Sequence, residues 1–341
     1  EGWAWRAGLE GLNGRNFQKN YINVNGRKGN LVDDLHQTAR NINVFTELTT
    51  PLAVDWSLIT GLTYLHQTRD VDDKLRCNAF VPAICVPQNE SFDETYEGHI
   101  GRIGVLNDYS EGVQFFSNFS QSYEPPTFAD MTGGLVKAPN DAQTANTLEA
   151  GMRWQRGNLD LDLAVYYSDV HDELLALNTP TGQPLGTVNA DKTIHRGIEL
   201  GGSVSMGQFV LNGQYLLNDF YFDNDPVYGN NQLPGIPRQF VKSELLWKDN
   251  GWYAGPTAEW VPTHYNVDMA ETLYADSYAI WGFKVGYQMP SGFDLFIEGR
   301  NLSDKTYAAT TGVIADAKGK DSAQFMPGDG RAVFTGIEWQ L

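Results

Sequence analysis

The sequence lacks several features that define common protein classes. No run of about 18 apolar residues occurs, so a transmembrane helix is excluded. Basic residues number 24 against 42 acidic residues, and the net charge of -18 excludes a protein that tracks nucleic-acid phosphates. The chain begins at Glu1 without Met and without a signal-peptide pattern. We therefore expect a mature or truncated chain.

Cysteine is also scarce. Cys77 and Cys85 are the two cysteines, and they lie close together in a polar stretch that contains proline. This spacing favours a local disulfide over a metal site, because a metal site needs more ligands. The disulfide in turn predicts an oxidising compartment.

The sequence does contain apolar and polar residues that alternate with a period of two, together with 35 glycines and 12% aromatic residues. Between residues 158 and 170 one face of the predicted strand is apolar and the other is polar. The apolar face carries Leu159, Leu161, Leu163, Val165 and Tyr167, and the polar face carries Asp160, Asp162, Ala164, Tyr166 and Ser168. Similar runs predict about 14 strands, each of roughly 9 to 13 residues.

The predicted connections alternate in length. Short turns follow the even-numbered strands, and long polar loops follow the odd ones, over about residues 11–40, 68–97, 123–144, 171–192, 221–237, 263–276 and 302–329. Several tryptophans lie near predicted strand ends, where an indole ring suits the headgroup level of a membrane: Trp3, Trp56, Trp154, Trp247, Trp252, Trp281 and Trp339. This layout predicts an all-β, antiparallel, transmembrane barrel, with a soluble sandwich as the alternative.

Four segments carry recognisable motifs. An aromatic strand runs from Phe115 and ends in Pro125-Pro126-Thr127, within a segment that reaches Met131. Further motifs follow in order at Arg196-Gly197-Ile198-Glu199 after Asn189, at Leu233-Pro234-Gly235-Ile236-Pro237-Arg238, and from Asn301 to Tyr307. Together these segments resemble the TonB-dependent outer-membrane receptor family. The end of the chain is similar to the last strand of that family, where Gly336, Trp339 and Leu341 fit the signal read by the barrel-assembly machinery.

The resemblance implies a 22-stranded barrel with an N-terminal plug and a box that binds TonB. None of those N-terminal parts is visible in the sequence, so residues 1–341 are expected to be the C-terminal part of one such barrel domain. If the last strand runs towards the periplasm, the short turns are periplasmic and the long loops extracellular.

The function that the resemblance implies is TonB-driven import of a metal chelate. A ferric siderophore or a ferric citrate-type complex is the leading expectation. Aromatic and cationic side chains in or beside the long loops are the predicted ligand-binding residues: Tyr21, Arg27, Tyr123, Tyr221, Tyr228, Arg238, His264 and Tyr265. Arg27 and Arg238 matter most for an anionic chelate, because the net charge of -18 opposes its approach.

Other functions remain open from the sequence. Haem uptake would use His36, His66 or His264 as an axial ligand, and copper and cobalamin are further ligands to consider. A complete 14-stranded passive pore fits the strand number, and a soluble glycan-binding protein is a weaker alternative. An enzyme is disfavoured, because Gly202-Ser203-Val204-Ser205 lacks the second glycine of a hydrolase nucleophile motif.

Cofactors and further partners are predicted sparingly. The acidic segments Asp70-Val71-Asp72-Asp73 and Asp223-Asn224-Asp225 contain hard oxygen ligands for Ca²⁺, but lack the spacing of an EF-hand loop. Lipopolysaccharide and outer-membrane lipid are expected partners of the barrel surface. No catalytic residue and no resident metal is assigned.

Overall fold

Fourteen antiparallel strands form one sheet in which each strand pairs with its neighbours in chain order. The computed structural model describes residues 2–75, 77–78, 86–87, 89, 91–132, 134 and 140–339. The strands are β1 (Ala4–Val24), β2 (Arg27–Ala53), β3 (Trp56–Asp73), β4 (Phe92–Ser110), β5 (Val113–Glu124), β6 (Gln143–Arg156), β7 (Leu159–Asn178), β8 (Pro184–Met206), β9 (Phe209–Phe222), β10 (Gln239–Asp249), β11 (Trp252–Val261), β12 (Tyr278–Gln288), β13 (Phe293–Arg300) and β14 (Ala332–Trp339). The predicted all-β architecture is confirmed.

The other elements are short. Three small ladders pair Cys77–Asn78 with Val86–Pro87, Tyr265–Asn266 with Tyr274–Ala275, and Ala308–Thr311 with Phe325–Pro327. One helical turn, α1, spans Phe128–Met131. Across the described residues, no helix has the length and apolar character needed to cross a membrane. Cys85 lies outside the described residues, so the Cys77–Cys85 disulfide stays a prediction.

The predicted alternation of short and long connections is confirmed. Two- to four-residue turns join the strands at one end of the sheet, which we call the turn end: 54–55, 111–112, 157–158, 207–208, 250–251 and 289–292. The opposite end, the loop end, carries most of the longer connections, including 125–142, 223–238, 262–277 and 301–331. Residues that need a positive φ, such as Gly157 and Gly207, sit in the tight turns.

The predicted loop at residues 11–40 is wrong. β1 and β2 continue through it as a hairpin and meet at the two-residue turn Asn25-Gly26, whose φ values are 50° and 80°. An Asn-Gly pair adopts this left-handed turn readily, which is why the strands can extend so far. The loops predicted at 68–97 and 171–192 are likewise shortened, because β3 and β4, and β7 and β8, extend into them.

Cross-strand register gives the sheet one apolar and one polar face. On the face that we call outward, neighbouring strands place Met152, Leu163, Leu200, Tyr215, Val241 and Trp260 side by side. On the opposite, lumenal face the next row reads Arg153, Asp162, Gly201, Gln214, Lys242 and Glu259. None of these outward side chains is buried, others on the same face such as Leu148, Val165 and Tyr167 are exposed, and all fourteen strands belong to one sheet, so the sandwich alternative is wrong.

Aromatic residues mark the turn end of the outward face. Trp56 begins β3 and Trp252 begins β11, while Trp154, Trp247 and Trp339 lie at or near the ends of their strands. Pairs of rings contact each other across strands there, including Trp252 with Tyr287 at 4.8 Å between centroids. Trp260 and Trp281 form a second group towards the loop end, about 27 Å along β11 from Trp252. Two aromatic belts at this separation fit the edges of a tilted membrane-spanning band.

Glycines on the lumenal face receive aromatic rings from the adjacent strand. Phe116 is paired with Gly151, Tyr166 with Gly197, and Phe296 with Gly336. A Cβ added at Gly151 would lie 2.3 Å from Phe116, and one at Gly336 would lie 2.4 Å from Phe296. These glycines are therefore required for close packing.

The sheet has two open edges. Among the described residues β1 pairs with β2 alone, and β14 pairs with β13 alone. A closed 14-stranded pore would need β1 to pair with β14, so this arrangement argues against the passive-pore alternative.

A charged side chain placed on the outward face should destabilise the protein. We expect Leu163→Arg, on the outward face, to lower the free energy of unfolding by about 2 to 4 kcal/mol, because it places a cation in the apolar band. The adjacent Ala164→Arg should cost much less, because residue 164 faces the lumen opposite Glu199. Urea titration of the protein refolded in lipid vesicles measures both. Equal destabilisation would contradict the assignment of the faces.

Candidate functional site at the loop end

Four segments at the loop end pack into one layer, which we call the loop cap: residues 174–190, 223–238, 262–277 and 301–331. Two buried apolar clusters lie within it and at its junction with the strands. One contains Leu177, Ala190, Phe222, Leu233 and Met269, and the other contains Val261, Tyr265, Val267, Ala275 and Tyr278. Several of the most deeply buried side chains of the described residues lie here, including Val267, Asp268, Asn301 and Ile314, and others, such as Leu35 and Thr193, lie on the strands.

Main-chain hydrogen bonds join the four segments to one another. The Asn178 amide donates to the Val313 carbonyl at 2.7 Å, and the Gly235 amide donates to Asn266 at 2.7 Å. The Met269 amide donates to Ile314 at 3.1 Å. The loops therefore form a folded unit rather than a set of independent connections.

Asp268 is the main polar link within the loop cap. Its side chain is fully buried and accepts four hydrogen bonds: from the Thr272 amide at 2.8 Å, the Thr272 hydroxyl at 2.6 Å, the Leu273 amide at 2.9 Å and the Ala317 amide at 2.9 Å. Burial alone raises the pKa of Asp268, but these hydrogen bonds outweigh it and hold the pKa below its ordinary value of 3.8. Asp268 thus joins segments 262–277 and 301–331 as a carboxylate.

A polar cluster lies on the lumenal face beside the loop cap. His195 Nε2 lies within hydrogen-bonding distance of the Glu173 carboxylate, at 3.1 Å, and the buried Thr193 hydroxyl donates to the same carboxylate. The His195 ring stacks on Phe220 with centroids 4.3 Å apart and planes 8° from parallel. The sequence carries no local signal for this cluster, because its four residues come from three strands.

Below the cap, a groove of about 670 Å³ runs along the lumenal face of β7 to β13. Charged residues of both signs line it, with an acidic excess: Asp160, Asp162, Glu244, Glu259 and Glu298 against Lys242 and Arg300. The groove can accommodate polar groups, and its charge favours neutral or cationic ones.

Two predicted ligand-binding residues pack inside the loop cap. Tyr265 is buried in the second apolar cluster, and burial raises the pKa of its phenol. Tyr228 packs on Phe222 with ring centroids 5.4 Å apart, and burial raises its pKa as well. Both tyrosines stabilise the cap, and their predicted contact with ligand remains untested.

Two others lie near Asp219 of β9. Tyr221 receives the Arg196 guanidinium over its ring at 5.3 Å, and Arg196 pairs with Asp219 at 2.6 Å. Arg238 is largely exposed and lies 4.0 Å from Asp219. The exposed guanidinium of Arg238 remains accessible to an anion.

The remaining candidates are distributed around the loop end. Tyr21 and Arg27 belong to the β1–β2 hairpin, where Lys28 Nζ lies 3.6 Å from the Tyr21 ring centroid. Tyr123 lies at the end of β5 against Gly98, and His264 is exposed in the loop cap beside Tyr274. The structure therefore brings Tyr221, Tyr228, Arg238, His264 and Tyr265 into one region, on or beside the loop cap, and leaves Tyr21, Arg27 and Tyr123 on other strands.

Two of the histidines considered for haem have partners on the outward face. His36 lies 4.8 Å from the Phe17 ring, and His66 lies 2.9 Å from Glu97. His66 shares its face with Ile42, so it points away from the lumen. His264 is the one of the three that lies in the loop cap.

The acidic segments considered for Ca²⁺ have different surroundings. Asp70, Asp72 and Asp73 lie in β3, and Asp225 accepts hydrogen bonds from the Val227 and Tyr228 amides at 2.8 and 2.9 Å. Within the described part of the chain no group of three or more His, Cys, Asp or Glu residues could hold a metal ion. Calcium binding stays a prediction.

The segments that carry the family resemblance have structural roles in the loops. Thr127 caps α1, and its amide donates to Asp130 at 2.7 Å. Asn301 is buried with φ 46° and bonds both the amide and the carbonyl of Lys305 at 2.8 Å. Gly336 receives the Phe296 ring, which gives it a packing role beside the predicted assembly signal. Trp339 ends β14, whereas Leu341 lies outside the described residues.

Comparison with known proteins decides the family. The model for the TonB-dependent receptor-like β-barrel matches residues 2–302. The chain belongs to this family. Its members are outer-membrane receptors and transporters rather than enzymes.

Solved receptors share the fold. The ferric yersiniabactin uptake receptor FyuA from Yersinia pestis has a TM-score of 0.75 at 18% identity, over 99% of this chain and 51% of FyuA. The ferric citrate transporter FecA has a TM-score of 0.76 at 13% identity, over 98% of this chain and 50% of FecA. The copper transporter OprC has a TM-score of 0.75 at 16% identity, over 99% of this chain and 54% of OprC. The receptor barrel described above therefore spans about half the length of these proteins.

Removing the central carboxylate should loosen the loop cap. In Asp268→Asn an amide NH₂ would face a main-chain N–H, so we expect a local loss of about 1 to 3 kcal/mol. Hydrogen exchange at the Leu273 and Ala317 amides measures this loss. Asp276→Asn, at an exposed position of the same segment, is the matched control. Unchanged protection in Asp268→Asn would contradict the role of Asp268.

The lowered pKa of Asp268 predicts that the stability of the loop cap depends on pH in acid. Because the folded pKa is lowered, its stabilisation is complete above the unfolded value of about 3.8 and is lost as pH falls through the folded pKa. Protection factors at Ala317, corrected for intrinsic exchange, should therefore fall in acid. The Asp268→Asn variant should lack this dependence, and an identical acid response in both proteins would exclude Asp268 as its source.

Proposed function

We propose that this receptor imports a ferric chelate, of the siderophore or ferric citrate type, across the outer membrane. The loop cap and the neighbouring strand ends would capture the chelate from outside. The observation that carries the proposal is the set of aromatic and cationic side chains at the loop end, above a polar lumenal groove, in a member of this receptor family.

The orientation belongs to the proposal. The loop end faces the exterior, and the turn end and the last strand face the periplasm, as the alternation of long and short connections favours. Further strands of the same barrel would close the open edges of β1 and β14, because unpaired backbone groups are costly in lipid. TonB, acting on a plug region in the complete protein, would open the path, and the barrel-assembly machinery would read the last strand.

Electrostatics shape the capture step. The chain carries a net charge of -18, so an anionic chelate is repelled at long range and needs local cations. Arg238 in the loop cap and Arg27 on the β1–β2 hairpin are exposed and can supply them. Tyr228 and His264 add aromatic surface in the same region as Arg238.

Binding and uptake of defined chelates test the proposal. The full-length protein should bind a member of a panel of ferric hydroxamate, catecholate and carboxylate chelates, and should support uptake of radiolabelled iron only with TonB present. For an anionic chelate, Arg238→Gln should weaken binding about tenfold through loss of a charge-assisted hydrogen bond.

Arg156→Gln, at the turn end, is the matched control and should leave binding unchanged. If haem, cobalamin or a copper complex is imported and no ferric chelate binds, the ferric proposal fails. If iron uptake continues without TonB, the energy-coupled mechanism fails.

A further inference from the structure

One arginine on the lumenal face is buried. Arg69 lies in β3, four residues before the strand ends at Asp73 of the loop end, and 9% of its surface is exposed. His66 of the same strand points outward, and side chains alternate along a strand, so Arg69 points to the lumen. Its charge is therefore placed on the inner wall of the barrel, close to the loop end.

Neutral oxygen atoms hold this guanidinium in place. Nη1 donates to the Asn41 side chain at 2.8 Å and to the Thr68 carbonyl at 3.1 Å, and Nη2 donates to the Gln67 side chain at 3.0 Å. A guanidinium has five N–H donors, so Nε–H and one N–H of Nη2 remain unused. Glu94 of β4 is the partner of Arg69 in register, yet among the described residues no carboxylate forms an ion pair with Arg69.

A buried guanidinium without a counterion is unfavourable. Arginine keeps its charge inside a protein, so the cost of burial cannot be relieved by loss of a proton. A further strand added beyond β1 would lie three strands from β3, about 14 Å away, which is too far for its side chains to pair with Arg69. In a chain with 42 acidic residues, partners that are all neutral leave this positive charge for an anion that enters the lumen.

We propose that Arg69 binds a carboxylate group of the imported chelate on the lumenal wall. The unused N–H donors of one guanidinium match the two oxygen atoms of a carboxylate. The Tyr123 ring covers Gly98 on the same face, where an added Cβ would lie 2.7 Å from it, and would contact the body of the chelate. The site rests on the proposed orientation and ligand class, and adds a lumenal cation to the exposed arginines of the loop end.

Citrate binding tests this site. Iron-free citrate and ferric citrate are titrated into the detergent-solubilised full-length protein by isothermal titration calorimetry. We expect Arg69→Gln to weaken the binding of both at least about tenfold, because charge-assisted hydrogen bonds are lost. Arg69→Lys keeps the charge but not the paired donors, so it should have an intermediate affinity. Glu94→Gln should strengthen binding, because it removes the carboxylate that is opposite Arg69 in register.

Arg40→Gln provides the matched control. Arg40 pairs in register with Thr68, next to Arg69, but it is exposed and faces outward, so its loss should leave citrate binding unchanged. Heat-dependent gel mobility confirms that each variant is folded.

Three results would overturn the proposal: wild-type protein that binds neither probe, wild-type affinity in Arg69→Gln, or an equal loss in Arg40→Gln. If citrate does not bind and Arg69→Gln lowers the thermal stability, the counterion of Arg69 is instead a carboxylate of the complete chain.

Iron uptake separates this site from the proposed function. If citrate binding depends on Arg69 but no ferric chelate is imported with TonB present, the import proposal fails and the site stands. If a ferric chelate is imported and citrate binding does not depend on Arg69, the site fails and the import proposal stands.

Discussion

The pairing of backbone polar groups in a medium without water is the constraint on which this architecture depends. Each strand in hydrocarbon must donate and accept along its whole length, so the sheet proceeds from β1 to β14 by hairpins alone. Side chains then alternate between lipid and lumen, and one register fixes both faces. The apolar row through Leu163 and the polar row through Asp162 are two consequences of the same ladder.

Because the sheet has no partner layer, the usual hydrophobic core is displaced. Much of the deep burial occurs instead in the loop cap, where Val267, Asp268 and Ile314 are almost wholly enclosed. The loops therefore obey the rules of a soluble protein: apolar clusters, satisfied carboxylates and turn-forming asparagines. The strands obey those of a membrane protein. One chain is thus folded in two environments, with lipid around the strands and water around the loops. The boundary between them lies near the strand ends at Val261 and Tyr278.

The strands were predictable from sequence to a large extent, since period-two alternation is local. All fourteen predicted strands are present, but their loop-side limits were not predictable, because beyond the membrane neither face must be apolar and the alternation fades. The Asn25-Gly26 pair was the one signal that could have revealed the long first hairpin. Asp268 and the Glu173–His195 pair carried no such signal, because their partners lie on other segments.

The segments that resemble the receptor family mainly stabilise the fold. This limits which residues are available to select a ligand. Thr127, Gly235 and Asn301 direct their polar groups into caps and loop-to-loop hydrogen bonds, so they have little capacity left for a ligand. Tyr265 shows the same limit for an aromatic residue, since the apolar cluster already covers it. We therefore propose that ligand choice depends on side chains that the loop cap leaves exposed, such as Arg238 and His264. These residues contribute little to the fold, which explains how one barrel can serve different ligands.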